Sequence, residues 1–278
     1  MKIFSVQMPV QPVKEDNLAA VHRYLDTCKA GGADLVVLPE MFDCPYHKSL
    51  FRPFAEPDGG MVWQTLSDEA KRCGIYLVAG SVPELGGDGK IYNTCYVFDR
   101  AGRQIAKHRK MHLFDLELEG EKPVRESDVL SAGSAATVFD TEFGKMGVCV
   151  CYDMRFPELL RRMADQGAQV VFAPAAFFYK TGQAHWEMLL RMRAVDNQCF
   201  VVGAAPAADP TGGYKVWGHS MIVDPWGEIL AEAEADTDCV IGAEADLSRI
   251  DSIRRQLPLL RHRRQDIYRI AWKDEPEA

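Results

Sequence analysis

Met146-Gly-Val-Cys-Val-Cys-Tyr-Asp-Met-Arg-Phe-Pro-Glu-Leu-Leu-Arg-Arg-Met-Ala-Asp-Gln-Gly-Ala-Gln-Val-Val-Phe-Ala173 contains one complete unit of the fold. Met146 to Cys151 is a short apolar run of strand length, and Val170 to Ala173 is another. Between them Pro157 opens a helix at its first turn and Gly167 stands beyond its end. Proline tolerates the missing N–H only in that first turn, and glycine readily takes the backbone angles that end a helix. Strand, turn, helix and strand in succession predict an α/β sheet with helices on its outer faces.

The same alternation extends in both directions. Leu18, Val21, Leu25 and Cys28 fall on one helical face, stopped by Gly31-Gly32, and Leu35-Val-Val-Leu38 then reads as a buried strand closed by Pro39. Leu66, Ala70 and Cys73 mark a second helix ending at Gly74, followed by the strand Ile75 to Ala79. Tyr92 to Asp99 and Gln104 to Lys107 flank Arg100-Ala-Gly-Arg103, a hairpin signal, and Val138 to Gly144 reads as a second hairpin turn. Downstream, a helix over His185 to Val195 leads into the strand Phe200 to Gly203. Hairpins mixed with helical crossovers imply a mixed sheet. No repeat or linker interrupts the pattern, so one domain is expected over 1–272, with a polar, disordered tail over 273–278.

Composition narrows the function. Of 278 residues 47% are hydrophobic, enough for a substantial core, and the formal net charge is −8. That balance argues against a nucleic-acid partner, which requires a clustered basic surface. No run approaches the roughly 20 apolar residues of a membrane span, and Met1 to Val10 lacks the apolar stretch of a signal peptide. A cytoplasmic protein without membrane contact is expected. The eight cysteines are scattered through apolar segments with no Cys-x-x-Cys pair, the pattern of reduced buried thiols. Neither they nor the seven histidines have metal-ligand spacing, so neither a metal nor another cofactor is expected.

Three ionisable residues stand where strands end. Glu40 closes Leu35-Val-Val-Leu-Pro-Glu40, Cys151 closes Met146 to Cys151, and Lys110 ends the basic run Lys107-His-Arg-Lys110. Strand ends in α/β folds bring distant side chains to one crevice. A cysteine on a strand–turn–helix junction resembles the elbow that presents a nucleophile beside an oxyanion-binding N–H. A Glu and a Lys could divide the work of base and electrophile that activates it. Each residue also has an ordinary reading: packing for Cys151, a helix-start carboxylate for Glu40, and for Lys110 the solvated basic face expected of Lys107 and Arg109. Cys149, expected in mid-strand, reads as core.

Leu38-Pro-Glu-Met-Phe-Asp-Cys-Pro-Tyr46, Lys107-His-Arg-Lys-Met-His-Leu-Phe114 and Cys151-Tyr-Asp-Met-Arg-Phe-Pro-Glu-Leu159 resemble the three signature motifs of the nitrilase superfamily of carbon–nitrogen hydrolases. The likeness continues through Gly80-Ser-Val-Pro-Glu84, Tyr92-Asn-Thr94, Ala184-His-Trp-Glu187, Arg193 to Gln198, Trp217-Gly-His-Ser220 and Asp224-Pro-Trp-Gly227. Within the superfamily the combination is most similar to the omega-amidase branch, with the deaminated-glutathione amidases as near neighbours. The resemblance implies an α-β-β-α sandwich, commonly paired as a homodimer or higher homo-oligomer. It also implies hydrolysis of a terminal amide through a thioester, with a small-molecule amide as substrate and no cofactor.

What the resemblance implies about residues goes further. Glu40, Lys110 and Cys151 form the catalytic set, and Glu126 matches a second glutamate placed near the lysine, where otherwise a surface carboxylate is expected. Tyr152 supplies a backbone N–H to the oxyanion. Arg155 matches a candidate carboxylate anchor, with Tyr46, Phe177 and Thr181 in matching pocket positions. From the residues alone Arg155 could equally pair with Asp153 or Glu158, which themselves read as a turn carboxylate and a first-turn acid favoured by the helix dipole. A non-catalytic interaction protein on this fold is the reading from another class, and keeping all three catalytic residues argues against it. A thiol redox sensor would require Cys149 as resolving partner, which a β-strand would hold apart from Cys151.

Overall fold

The computed structural model describes residues 1–121, 123–208 and 214–270; the tail expected over 273–278 lies outside them. In the first half the elements run β1 (Lys2–Gln7), α1 (Lys14–Ala30), β2 (Leu35–Val37), α2 (Lys48–Phe54), α3 (Met61–Cys73), β3 (Tyr76–Leu85), β4 (Ile91–Phe98) and β5 (Gln104–Arg109). Three two-residue strands follow: β6 (Asp115–Leu116), β7 (Val124–Arg125) and β8 (Leu130–Ser131). The second half runs β9 (Thr137–Thr141), β10 (Gly144–Val148), α4 (Pro157–Asp165), β11 (Val170–Pro174), α5 (Tyr179–Asn197), β12 (Phe200–Ala204), β13 (Met221–Val223), β14 (Ile229–Glu232), β15 (Cys239–Glu244) and α6 (Ser248–Gln256).

Two mixed sheets result, each with three parallel strands flanked by antiparallel ones. One has the order β15-β1-β2-β3-β4-β5, with β8 beside β4; the other is β14-β13-β12-β11-β10-β9. In the first, β1, β2 and β3 are parallel; in the second, β10, β11 and β12 are. Strand periodicity assigns the layers. Val36, Leu38, Leu77, Ala79, Tyr96 and Phe98 pack under α1 and α3 on the outer face. Their alternates Leu35, Val37, Tyr76, Val78, Cys95 and Val97 share a core with the second sheet. Alternate residues of a strand face opposite sides, so each inner strand serves two cores. The second sheet's other face is covered by α4 and α5, through Leu159, Leu160, Met163, Trp186, Leu190 and Ala194. The α-β-β-α sandwich is the fold.

Some expectations move. Helix α5 begins at Tyr179, six residues before His185. The strand before the elbow ends at Val148, so Cys149 lies beyond it, although its amide still reaches Phe172 O at 3.0 Å. At the two ends of the polar stretch 115–125, β6 pairs with β7 as a two-stranded ribbon. Helix α2 carries Pro53 inside it, which hid it from a reading that treats proline as a stop.

Candidate active site

Glu40, Lys110 and Cys151 meet at one end of the sandwich, each just past a strand. Glu40 makes a single bridge to Ser81. The next residue, Met41, turns the chain away at φ 51°, with its amide held by Ser81 Oγ at 3.2 Å. Gly80 permits that approach: a Cβ there would lie 2.2 Å from Pro39 O.

Lys110 follows β5, whose alternation sorts the basic run onto two faces. Lys107 and Arg109 turn to Glu84, at 3.1 and 2.8 Å, and Arg109 stacks on Tyr92. The solvated face expected for these two residues is instead a half-buried ion-pair cluster. His108 and Lys110 turn inward and are fully buried.

Cys151 opens a 3-10 turn, Cys151–Arg155, at φ 49°. A non-glycine residue in that left-handed region carries roughly 1–3 kcal/mol of strain, a feature that concentrates at functional sites. The turn breaks strand alternation, so two residues of separation no longer place Cys149 and Cys151 on one face. Cys149 is fully buried in the core, whereas Cys151 lines a cleft.

Around these three the polar groups are densely bonded. Lys110 Nζ donates to Glu40 Oε1 and to Glu126 Oε1, each at 2.9 Å. Glu40 also accepts from Asn93 Nδ2 at 2.8 Å and from the Ala176 amide at 2.7 Å. Glu126 accepts from the Phe114 amide at 2.7 Å and from the Tyr46 hydroxyl. Burial alone would lower the Lys110 ammonium, but Glu126 and Glu40 outweigh it and hold its pKa well above the ordinary value. Burial pushes Glu126 upward, with Lys110 opposing. The Cys151 thiol is pushed well up, by burial first and then by the adjacent Glu40 carboxylate, so it keeps its proton at neutral pH. Thiol, carboxylate and ammonium thus sit in contact, with the proton on sulfur and a base beside it.

The cleft over Cys151 is small, about 170 Å³ counting its open mouth. A cleft this small suits a short chain. Tyr152, Arg155, Phe177 and Thr181 line it, together with Phe114 and Tyr214. Tyr46 does not line this cleft: its hydroxyl goes to Glu126 and its ring stacks on Tyr214 at 4.4 Å. Arg155 pairs with neither Asp153 nor Glu158. Its guanidinium is half-buried over the rings of Phe177 and Tyr152, at 4.9 and 5.7 Å, and donates to His185 Nδ1 at 3.1 Å. No acidic side chain among the described residues reaches it. Sequence reasoning missed Tyr214, Asn93, Ala176 and His185 as parts of the site; Asn93 and His185 lie in segments already matched to the family, but nothing distinguished them there.

The carbon–nitrogen hydrolase family model matches residues 2–255. Omega-amidase NIT2-A of Xenopus laevis is 46% identical over 272 residues, 98% of this chain and 98% of its own. Omega-amidase NIT2 of Homo sapiens is 42% identical over 268 residues, 96% of each chain. Among solved structures, Saccharomyces cerevisiae Nit3, a member of branch 10 of the nitrilase superfamily, superposes with a TM-score of 0.88 at 40% identity, over 95% of this chain and 96% of that one. With its sandwich, its elbow cysteine and these relatives, the chain belongs to the carbon–nitrogen hydrolase family.

Proposed function

We propose that this chain is an omega-amidase, releasing ammonia from the terminal amide of a short dicarboxylate monoamide such as 2-oxoglutaramate, 2-oxosuccinamate or succinamate. The observation that carries the substrate half is Arg155: a half-buried guanidinium beside the thiol with no acidic partner among the described residues. Leaving a partly desolvated cation unpaired is unfavourable, and a substrate carboxylate relieves it with charge-assisted hydrogen bonds. The relatives named omega-amidases support the same reading.

Glu40 takes the Cys151 proton as sulfur attacks the amide carbon. Lys110 has three N–H donors, two of them bonded to Glu40 and Glu126, and the third meets the oxyanion. The Tyr152 amide, in the first turn after Cys151 where no helical carbonyl faces it, is the second donor. Each such donor contributes about 2.7–4 kcal/mol to the transition state. Glu40 passes its proton to the nitrogen, ammonia departs, and a thioester remains. Water then gives a proton to Glu40 as its oxygen attacks the thioester. The acid leaves, and the proton returns to sulfur.

The same reading makes the protein a homo-oligomer. Met188, Met192 and Trp226 are 62%, 44% and 54% exposed and line one groove of about 840 Å³, counting its open mouth, along α5. Large apolar side chains gathered on one face suit a second copy. It also places the protein in the cytoplasm, since all eight cysteines are free. No described helix is long and apolar enough to cross a membrane. Ammonia release from a panel of monoamides tests the proposal: succinamate and 2-oxoglutaramate should far exceed neutral amides of equal length. Preference for neutral amides would overturn it.

A further inference from the structure

Lys110 and Cys151 belong to different sheets, β5 to one and the turn after β10 to the other. Their separation is therefore not set by any shared strand. Among the described residues, every hydrogen bond between the segment around Lys110 and the elbow around Cys151 is made by one fully buried carboxylate, Asp153. Its Oδ1 accepts from the amides of Met111 and His112, at 3.2 and 2.9 Å, and from His112 Nδ1 at 2.7 Å. Its Oδ2 accepts from the Val150 amide and from His108 Nε2, both at 3.0 Å. The other His108 ring nitrogen meets Thr137 Oγ1 at 3.0 Å, so the brace reaches β9 as well. Sequence reading gave Asp153 the role of an ordinary turn carboxylate.

We infer that Asp153 is a positioning residue for the reaction, fixing the Lys110 ammonium against the Cys151 sulfur and the oxyanion between them; as a statement about turnover this rests on the proposed amidase function. The donors grip residues on both sides of Lys110 and the residue just before Cys151, so a shift of either segment breaks bonds at Asp153. A carboxylate is required because both oxygens act purely as acceptors. An asparagine would present N–H groups either to the Met111 and His112 amides or to the Val150 amide. A histidine can change tautomer to suit, but a backbone amide cannot. Asp153 touches neither the thiol nor the cleft, which is why its effect passes through Lys110.

The test is Asp153→Asn, with kcat counted per active site titrated by stoichiometric alkylation, so that unfolded protein drops out. An ångström-scale misplacement of a reacting group costs about 10²-fold, so kcat for succinamate should fall by about that factor while KM stays within about threefold. Alkylation of Cys151 by iodoacetamide, which requires no amide substrate, should slow as well, because Lys110 no longer supports the thiolate. His108→Leu should lower kcat to a smaller degree, and His108→Gln, whose amide can still donate to Asp153, should restore most of it. If Asp153→Asn does not fold, the two His108 variants decide the matter. Unchanged kcat per titrated site with only a lower melting temperature would reduce Asp153 to a structural brace and overturn the inference. Equal kcat in His108→Leu and His108→Gln would do the same. An unmodified protein that releases no ammonia from any monoamide would instead overturn the proposed function, and the alkylation rates would still decide the role of Asp153.

Discussion

The two ends of the Cys151 cleft treat charge in opposite ways. At the Glu40 end the Lys110 ammonium lies between two carboxylates, and each carboxylate has further donors in Asn93, Ala176, Phe114 and Tyr46. At the Arg155 end a guanidinium rests on aromatic faces beside a histidine, with no carboxylate among the described residues in reach. A fully buried charge survives only when its hydrogen bonds are met within the protein, and once met they fix geometry. A half-buried charge can stay unpaired at lower cost, which leaves its bonding capacity to a ligand. The bonded end is suited to chemistry and the unbonded end to recognition. Substitutions at the two ends should therefore fail differently.

The largest effect belongs to the bonded end. Cys151→Ala should lower kcat by about 10⁶, as removal of a nucleophile does in other covalent hydrolases, and abolish the acyl adduct that mass spectrometry finds with a slow substrate. An adduct that maps to Cys149 would break the assignment. Lys110→Arg comes next. It keeps the charge but replaces a compact ammonium, bonded to two carboxylates, with a broad planar fork. Losing the third N–H directed at the oxyanion corresponds to about 10²–10³ in kcat. Near-normal turnover would mean that the Glu40–Lys110–Glu126 cluster merely stabilises the fold.

The bonded end was also the more legible in sequence, though unevenly. Apolar runs closed by Pro39 and Cys151 revealed strand ends, because burial on both faces of a parallel strand leaves a continuous hydrophobic run, whereas Lys110 was marked only by the end of a basic run after a hairpin strand. Glu126 came only from the family resemblance, since nothing in Arg125-Glu-Ser-Asp128 marks a residue that folds onto a lysine. Ala176 and Asn93 escaped because a backbone amide 136 residues from Glu40, or one amide side chain among several, carries no local signal. Asp153 escaped for a related reason: all its donors but the Val150 amide come from β5 and the loop after it, and periodicity says which face a residue takes but not what it meets there. Lys107 and Arg109 were misread as solvated because their partner, Glu84, lies on another strand. At the Arg155 end the sequence left two readings level, and the partner Arg155 takes, His185 in place of Asp153 or Glu158, separates them.

The unbonded end should show a smaller, selective loss. Arg155→Gln removes a cation from the cleft but leaves the thiol, Glu40 and Lys110 in place. Charge-assisted hydrogen bonds contribute about 1.5–3 kcal/mol, so kcat/KM for succinamate should fall about 10- to 150-fold, mostly through KM. A neutral amide of the same length has nothing to lose there, and steady-state kinetics on butyramide should change little. Equal losses on both substrates would make Arg155 a structural residue and erase the contrast between the two ends.

Cys149→Ala should have the smallest effect on turnover, and it tests whether the elbow alone makes Cys151 special. The two thiols are two residues apart, both buried and both pushed well above the ordinary thiol pKa, with burial as the leading cause in each. Neither pKa nor exposure tells them apart. Position does: Cys151 sits at φ 49° on the turn, next to Glu40 and Lys110, whereas Cys149 packs in the core. Replacing a core thiol with a methyl group leaves a small void, at a cost of about 1 kcal/mol in stability. Turnover per folded molecule should stay within about twofold, since surface and core changes that leave the reacting groups in place seldom reach the transition state. The measurement is kcat beside a urea unfolding midpoint. A midpoint that drops while kcat holds keeps Cys149 in the core; a large fall in kcat with an unmoved midpoint would bring it into the chemistry and end the division between the core that packs and the turn that reacts.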